Sequence, residues 1–520
     1  MHWSQIVAEE IINKYPEKET YVCASGISPS GSVHIGNFRE IITTYFVVKS
    51  LDELGKKTRF IFSWDDYDRF RKVPKNIDRS FEKYIGMPYS EIPDPYGCHE
   101  SYAEHFEKEF EEALDIFGID VEFIYQSEEY KSGRYNKYIL HALKARKKIY
   151  DILMEFKTQE PCEKDRNNFY PITLYCNKCR KDDTKIVDFN ELTEVMKYNC
   201  KCGNEGSEDV LKSENIKLNW KVDWPMRWMV EDVVFEPGGR DHSSETGSYN
   251  VSKKIVDKIF NHPAPEYIPY EFIGIKGVNG KMSSSQGNAL TPKELLNIYI
   301  PELILFMFAK YNPSSAFNIG FDEDVIKNYT EYERYKSSFS LGKLNNEDIC
   351  YTLELASVDD NNSNLPRFNQ VAGVLPLINF EDEILREVLR QNGEVYAIDN
   401  IKEISNRAEY WIKNYNSKKV ITLKDKRDND YYNTLSEKER GWLKELCIII
   451  RNSEDLNSDE LMSRIYSICD NEDKKLKRNN QKRLFNIIYR LILNGDSGPR
   501  ISLLIKTIGV GKSIYLLGFS

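Results

Sequence analysis

The spacing of apolar residues predicts a strand, a turn and a helix near the start of the chain. Tyr21 to Ser28 reads YVCASGIS, an apolar run rich in residues that favour strands. The segment FREIITTYFVVKSLDEL then repeats its apolar residues near the helical period as far as Gly55. A second candidate strand, TRFIFSWDD, ends at Asp65 and Asp66. In a doubly wound sheet, strand ends of this kind lead into ligand-binding loops.

Further along the chain the apolar spacing predicts mainly helices. Within residues 76–215, helical spacing is clear in SYAEHFEKEFEEALDIFG and KYILHALKARKKIYDILMEF. From about Tyr311 onward glycine becomes sparse and amphipathic segments dominate, among them YTEYERYKSSF, EDEILREVLRQ, ISNRAEYWIKNY and SEKERGWLKELCIIIRN. We therefore expect the C-terminal part of the chain to be all-helical.

Composition narrows the class of protein only a little. The 520 residues leave room for about three domains. The 72 basic and 82 acidic residues give a formal charge of −10, which argues against indiscriminate nucleic-acid binding but permits a local basic face. No apolar run is long enough to span a membrane, and residues 1–30 do not resemble a signal peptide, so we expect a soluble cytoplasmic protein. Ten cysteines, four of them clustered, suit a reducing compartment.

Two short signatures carry the chemistry. SVHIGN, at Ser32 to Asn37, occupies the predicted turn between strand and helix, where backbone N–H groups and a helix N-terminus favour phosphate. KMSSS, at Lys281 to Ser285, lies in a glycine-rich stretch and offers one cation and three hydroxyls. A histidine that caps a helix would explain the first signature, and a serine-rich surface loop would explain the second. Their joint occurrence in this order is improbable by chance.

This pairing resembles the class I aminoacyl-tRNA synthetases. The resemblance implies a Rossmann-type α/β catalytic domain with a doubly wound parallel sheet. Such a domain condenses an amino acid with ATP, releases pyrophosphate and transfers the aminoacyl group to tRNA. It also implies roles near the ATP phosphates, with Mg²⁺ bound alongside ATP, for His34, Gly36, Asn37, Lys281, Ser283, Ser284 and Ser285. The wider ATP site that it implies adds Pro29, Ser30, Gly239, Asp241 and Met282.

Three further segments are similar to the class I lysyl-tRNA synthetases: SWDDYDRFRKVP, WKVDWPMRW and PGGRDHSSETGSYN. The related glutamyl and glutaminyl enzymes read their substrate with an arginine just before the turn, and Ala24 to Ser28 contains none. A lysine ammonium instead needs carboxylates, carbonyls or aromatic faces. The resemblance implies a lysine pocket made of Gly26, Ser28, Asp65, Asp66, Trp220, Phe235, His242 and Tyr270. Ordinary packing or capping remains the alternative for each of them. Asp241, with Ser243 and Ser244, could equally cap a helix.

A first candidate metal site consists of CNKC at Cys176 to Cys179 and CKC at Cys200 to Cys202. The separation of the two pairs is close to that of a zinc ribbon, and four thiolates would form a closed, structural site. The second pair is one residue shorter than usual, so we expect Gly203 to relieve its turn. The alternatives are four free cysteines, or Cys162 as a reserve ligand.

A second candidate metal site lies in PDPYGCHESYAEHFEKEF and consists of Asp94, Cys98, His99 and His105. Adjacent ligands need a sharp turn, which Gly97 can provide, and His105 falls one turn into a helix that should begin near Ser101. A capped helix with exposed histidines would explain the same residues. The zinc-containing insertion of the lysine family favours the metal, so two structural zinc ions are expected.

The predicted organisation has four parts. We expect residues 1–75 and 216–310 to form the halves of the catalytic domain, 76–215 a zinc-containing insertion, and 311–520 a helical domain. The resemblance implies that the insertion holds the acceptor end of tRNA and that the helical domain binds the anticodon. A helical dimerisation domain is the alternative for the last part, although a monomer is expected. The basic run at Lys474, Lys475, Lys477 and Arg478 is either a tRNA contact or a solvated helix face. GVGKS near the C-terminus lacks the context of a phosphate-binding loop.

The leading hypothesis is therefore ATP-dependent ligation of L-lysine to tRNA(Lys) through lysyl-adenylate, with release of AMP and pyrophosphate. A glutamyl enzyme of the same subclass and a non-catalytic zinc-containing RNA-binding protein are the alternatives.

Overall fold

A computed structural model describes residues 1–277, 290–358, 364–417 and 421–519. The chain forms two compact units, which are described separately. The first contains Met1–Leu295, Ile304–Ile319 and Leu344–Val358, and the second contains Leu296–Leu303, Gly320–Lys343 and Asp359–Ser520.

The strands all belong to the first unit. They are β1 (Tyr21–Ile27), β2 (Thr58–Trp64), β3 (Glu122–Tyr125), β4 (Ile172–Leu174), β5 (Thr184–Asn190), β6 (Val195–Cys200), β7 (Glu205–Asp209), β8 (Ile216–Leu218), β9 (Val233–Phe235), β10 (Gly238–Gly239), β11 (Pro269–Tyr270), β12 (Ile273–Ile275) and β13 (Phe317–Ile319). These are the strands of the described part of the chain.

The helices occur in both units. They are α1 (Trp3–Lys14), α2 (Ile35–Glu53), α3 (Tyr102–Ile116), α4 (Gln126–Lys131), α5 (Asn136–Lys144), α6 (Arg146–Glu155), α7 (Glu163–Asn168), α8 (Trp220–Glu231), α9 (Ser248–Lys258), α10 (Pro292–Leu296), α11 (Pro301–Lys310), α12 (Asp324–Ser340), α13 (Glu347–Leu355), α14 (Phe368–Val374), α15 (Asp382–Gln391), α16 (Ile398–Tyr415), α17 (Asn429–Asn433), α18 (Glu437–Arg451), α19 (Ser458–Ser467), α20 (Lys474–Ile492), α21 (Ile501–Ile508) and α22 (Val510–Leu517).

A four-stranded parallel sheet organises the first unit, in the order β3–β2–β1–β9. The first five residues of β1 are all buried, as expected for a parallel strand that is covered on both faces. Helix α2 returns the chain from β1 to β2 and is buried along most of its length. Because the four strands are parallel, their carboxyl ends lie along one edge of the sheet.

Between β3 and β9 the chain makes a long excursion. Strands β4 and β8 pair antiparallel at its base, and β5, β6 and β7 form a separate antiparallel sheet. Met196, Tyr198 and Val210 are buried in this part and belong to the same apolar cluster as Ile139 and Val222. The excursion therefore shares a core with helices α5 and α8.

The second unit is helical. One apolar cluster packs α18 to α22 around side chains such as Leu446, Ile465 and Ile488. Helix α20 shows why the sequence folds this way, because its C-terminal half buries Leu484, Ile487 and Leu491 at helical spacing while its N-terminal half is polar.

The predicted fold class is confirmed, with two local differences. The segment predicted as one helix from KYILHALKARKKIYDILMEF is two helices that meet at Ala145. The C-terminal helix GPRISLLIKTIG ends at Gly509, whose φ is +81°, and a further helix then carries GVGKS. Beyond residue 311, β13 and α13 belong to the first unit. In the described ranges no helix is long and apolar enough to cross a membrane.

Candidate active site and metal clusters

The carboxyl ends of β1, β2 and β9 place many of the sequence-predicted residues at one edge of the sheet. Ser28, Pro29 and Ser30 follow β1, whereas Asp65 and Asp66 follow β2. Phe235 ends β9 and is fully buried, and Glu236 and the Gly238–Gly239 strand follow it. The structure thus places these residues of the predicted lysine pocket and ATP site at the edge where parallel sheets bind ligands.

His34 caps the helix that follows β1. Its ring Nδ1 accepts hydrogen bonds from the backbone N–H groups of Gly36, at 3.1 Å, and Asn37, at 3.3 Å. A neutral ring that accepts at Nδ1 carries its proton on Nε2, which makes Nε2 a donor. A Cβ at position 36 would lie 2.9 Å from the imidazole, so this close approach requires glycine. The capping and phosphate-binding interpretations of HIGN are therefore compatible.

Glu40 lies one turn further along α2 and contacts two residues of the predicted lysine pocket. Its Oε1 accepts from the N–H of Gly26 at 3.1 Å, and its Oε2 accepts from the Tyr270 hydroxyl at 2.8 Å. Burial, with a smaller contribution from the neighbouring Glu236, raises the pKa of Glu40 to about 8. Among the described residues no lysine or arginine forms an ion pair with this carboxyl.

Tryptophans line the other side of this region. Trp220 stacks on Trp224 with ring centroids 5.0 Å apart, and the His242 ring lies 6.1 Å from that of Trp224. Glu236 accepts from the Nε1–H of Trp228 at 2.6 Å, and burial raises the pKa of Glu236 to about 7. Gly26, Asp65, Trp220 and Glu236 are among the residues that line one small cavity here. Arg227 also lines this cavity, and its guanidinium lies 5.7 Å from the centre of the Trp220 ring, so part of the aromatic and acidic lining already has a cation of the protein beside it.

Asp65 and Asp66 have partners within the fold. Asp65 Oδ1 accepts from Arg227 Nη1 at 2.6 Å, and Asp66 accepts from the N–H and the hydroxyl of Ser127, the former at 2.7 Å. Burial raises the pKa of both aspartates, that of Asp66 to about 6. Since Arg227 already pairs with Asp65, this pair is less available to a substrate ammonium than Glu40 is.

Ser28 is held by a third acidic residue. Its hydroxyl donates to Asp68 Oδ2 at 3.0 Å, and Asp68 Oδ1 lies 2.9 Å from Lys217 Nζ. Lys217 also lies 3.0 Å from Asp223 Oδ2, and Asp223 pairs with Arg227. Buried charges alternate in sign along this chain of contacts, which compensates the cost of their burial.

The four cysteines converge as predicted. Cys176 and Cys202 Sγ lie 3.8 Å apart, Cys179 and Cys200 Sγ lie 3.6 Å apart, and all four sulfurs fall within 4.8 Å of one another. Zn–S bonds of about 2.3 Å in a tetrahedron place sulfurs about 3.8 Å apart, so the donor set fits zinc. Gly203 has a φ of +84°, which explains how the shorter second pair closes.

The second predicted cluster also converges. Cys98 Sγ lies 3.2 Å from His99 Nδ1 and 3.3 Å from His105 Nδ1, and Asp94 Oδ1 lies 3.4 Å from His105 Nδ1. The four ligand atoms lie within 4.8 Å of one another. Gly97 has a φ of +73°, and Ser101 caps α3, both as expected. A thiolate, two imidazoles and a carboxylate at these separations fit a tetrahedral zinc ion.

Comparison with known proteins decides the family. Residues 1–356 match the family model described as tRNA synthetases class I (K). The chain belongs to this family. It is similar to the lysine–tRNA ligase of Pyrococcus horikoshii, with 35% identity over 514 residues that cover 96% of each chain. It is also similar to the lysine–tRNA ligase of Treponema pallidum, with 34% identity over 532 residues that cover 98% of this chain and 97% of the relative.

Membership of the class I synthetase family accounts for the HIGN turn and for the parallel sheet that this turn follows. The residues of the KMSSS signature lie outside the described part of the chain: Lys281, Met282, Ser283, Ser284 and Ser285. Asp241 does not cap α9, because that helix begins at Ser248 after Gly247, whereas Asp241 lies in the short 3-10 turn Arg240–His242.

The basic run of this synthetase lies in the first turns of α20. Lys474, Lys475 and Arg478 are exposed, and Lys477 pairs with Asp470. Cations at a helix N-terminus are disfavoured by the helix dipole, so helix stability does not explain them.

Glu40 was not predicted from the sequence. The available signal was the charged pair Arg39–Glu40 in the largely apolar first half of α2. Arg39 turns out to hold the backbone carbonyls of Glu271, Asn312 and Ser315, whereas Glu40 faces the candidate amino-acid site.

Proposed function

We propose that this synthetase ligates L-lysine to tRNA(Lys). The lysine carboxylate would attack the α-phosphorus of ATP and expel pyrophosphate to give lysyl-adenylate. The terminal ribose hydroxyl of the tRNA would then attack the adenylate carbonyl and release AMP. The names of the relatives support this substrate, and the geometry at Glu40 supports it independently.

The observation that carries the choice of lysine is the carboxyl of Glu40, which no described lysine or arginine pairs. Gly26 and Tyr270 fix both of its oxygens through hydrogen bonds of 3.1 and 2.8 Å. An ammonium would pair with this carboxyl once it is ionised, and a lysine that directs its ε-ammonium there would be distinguished from amino acids with neutral or anionic side chains, which offer only the α-ammonium common to all. Glu236 and the tryptophan faces add negative potential on the same side. A glutamate side chain would meet repulsion here.

The ATP phosphates would lie against the turn before α2. His34 would donate from Nε2, Asn37 from its side-chain amide, and Gly36 keeps the surface close to the backbone. We assign Pro29, Ser30, Gly239 and Asp241 to the same ATP site, because they follow β1 and β9 at the shared edge. The KMSSS residues would neutralise the leaving pyrophosphate. Magnesium bound with ATP would supply further positive charge there.

The two clusters would each hold a structural zinc ion. Four protein donors close each coordination sphere, which leaves no open position for substrate. The insertion that carries them would hold the acceptor end of tRNA, and the helical unit would bind the anticodon region. The basic turn of α20 would contact phosphate. We expect the enzyme to work in the cytoplasm, as a monomer.

Pyrophosphate exchange into ATP tests the proposal, measured with each of the twenty amino acids in the presence and absence of tRNA. Exchange that depends on lysine alone is expected. Exchange with glutamate would overturn the choice of substrate. Silence with all amino acids, from protein of native zinc content, would favour a binding-only protein.

A further inference from the structure

Lys217 is a buried cation to which the proposed reaction of lysine, ATP and tRNA has assigned no role. It lies on β8, the strand by which the chain returns from the cysteine-bearing sheet, and its side chain is only 5% exposed. Its Nζ contacts Asp68 and Asp223 at 2.9 and 3.0 Å and lies 5.6 Å from the centre of the Tyr130 ring. A lysine so deeply buried is rare unless its partners hold it there.

The contact to Asp68 determines how Ser28 presents its hydroxyl. Asp68 Oδ1 is taken by Lys217, which leaves Oδ2 to accept the proton of Ser28 at 3.0 Å. A hydroxyl that donates inward turns its lone pairs outward. Ser28 therefore offers an acceptor at the carboxyl end of β1, and an ammonium group has only donors.

We propose that Lys217 is a positioning residue for a substrate ammonium group, acting through Asp68 and Ser28. This inference rests on the proposed lysine specificity. It assigns to β8, the strand on which the chain returns from the cysteine-bearing sheet, an influence on amino-acid binding.

Contacts within the predicted insertion fix the start of β8, and with it the position of Lys217. Asn215, two residues earlier, accepts from Arg180 Nη1 at 2.6 Å, and its carbonyl accepts from the N–H of Tyr175 at 2.9 Å. Arg180 directly follows Cys179 and forms two hydrogen bonds of 2.7 Å to Glu91. The cysteine knuckle thus fixes the start of β8.

A double-mutant cycle between Lys217→Met and Ser28→Ala tests the relay. Lys217→Met should raise the KM for lysine about three- to tenfold, the range for one misoriented hydrogen bond, and leave the KM for ATP within about twofold. In the Ser28→Ala background the same substitution should have no further effect, because the hydroxyl it orients is gone. Lys212→Met is the matched control, since Lys212 is 82% exposed and lies just before β8.

Asp68→Asn keeps the test valid if Lys217→Met does not fold. Asparagine preserves size and can still accept from Lys217, but its amide would donate to Ser28 and occupy the oxygen meant for substrate. The KM for lysine should again rise, without change for ATP. Equal effects of Lys217→Met in both backgrounds, or an equal rise in the KM for ATP, would overturn the relay. Absence of lysine-dependent exchange in the wild type would instead overturn the proposed function.

Discussion

Replacing Glu40 by glutamine should weaken lysine binding strongly and remove its dependence on pH. Glutamine keeps the length of the side chain and one acceptor, but it cannot pair with an ammonium. Truncating one partner of a buried, hydrogen-bonded charge pair costs about 2–5 kcal/mol, which corresponds to a loss of affinity of at least about thirtyfold. ATP affinity should change little, because Glu40 follows the phosphate-binding turn by a full helical turn.

The magnitude of the pH effect follows from the raised pKa of Glu40, about 8 against an ordinary value of 4.5. Near pH 7 only about one-tenth of the empty enzyme carries an ionised Glu40, whereas near pH 9 about nine-tenths does. The dissociation constant of lysine should therefore fall about tenfold over this interval. Titration of free lysine affects every variant equally. The ratio of the dissociation constants of wild type and Glu40→Gln at each pH therefore removes it.

The linkage to stability has a definite sign. A carboxyl whose pKa is raised in the folded state binds more protons folded than unfolded, so the empty enzyme loses stability as pH rises from about 4.5 through about 8. Lysine should restore stability by pairing with the ionised form. The rise in melting temperature on adding lysine should hence be larger near pH 8.5 than near pH 6.5 in the wild type.

Isothermal titration calorimetry with lysine, from about pH 6.5 to about pH 9, measures the effect directly, and thermal melts check the fold. Glu333→Gln is a matched control, because burial also raises the pKa of the Glu333 carboxyl, to about 6. Glu333 belongs to the second unit, where it accepts from the N–H of Phe368. A Glu40→Gln enzyme that binds lysine as tightly as the wild type, with the same pH profile, would refute the assignment of Glu40 to the ammonium.

Three other predictions concern ATP, zinc and tRNA. Gly36→Ala should lower ATP-dependent exchange at least about tenfold, because a Cβ there would lie 2.9 Å from the His34 ring and displace the imidazole from the phosphate-binding turn; unchanged exchange would argue against a role of His34 at the ATP phosphates. Metal analysis should find about two zinc ions per chain, with Cys202→Ser and His105→Ala each losing one; an unchanged count in either variant would remove that site. Neutralising Lys474, Lys475, Lys477 and Arg478 should weaken tRNA binding and flatten its salt dependence by up to about one unit of slope for each phosphate that is no longer neutralised, whereas Arg390→Gln on α15 should not; equal slopes would leave a solvated helix face.

The sequence predicted the elements whose signals are local. The strand–turn–helix around HIGN, the helical C-terminal part and the two groups of candidate metal ligands depend on periodicity or on residues close in sequence, and the structure shows each arrangement. The parallel sheet was implied by the resemblance to the class I synthetases, and the structure shows it too. The break at Ala145 was missed because apolar spacing continues across it and only the geometry of the chain reveals the new helix.

Contacts between distant segments could not be predicted in this way. Glu40 acquires its meaning from Gly26 and Tyr270, which lie 14 and 230 residues away. The pairing of Asp65 with Arg227 spans 162 residues. Periodicity describes which face a side chain occupies and does not identify its partner, so the sequence pointed to the aspartates at the strand end and not to Glu40.

The pairing of β4 with β8 determines how the cysteine-bearing sheet is attached to the rest of the chain. The two strands run antiparallel, with Leu174 opposite Ile216, so the chain departs toward the cysteine-bearing sheet and comes back at neighbouring positions. Paired strands lie about 4.8 Å apart, a gap that a tight hairpin turn can bridge. A two-residue turn between β4 and β8 could therefore replace residues 176–214 without changing the strand order of the central sheet, but it would remove Met196, Tyr198 and Val210 from the core shared with α5 and α8. The cysteine-bearing sheet is thus attached through one pair of strands while its packing reaches well beyond them.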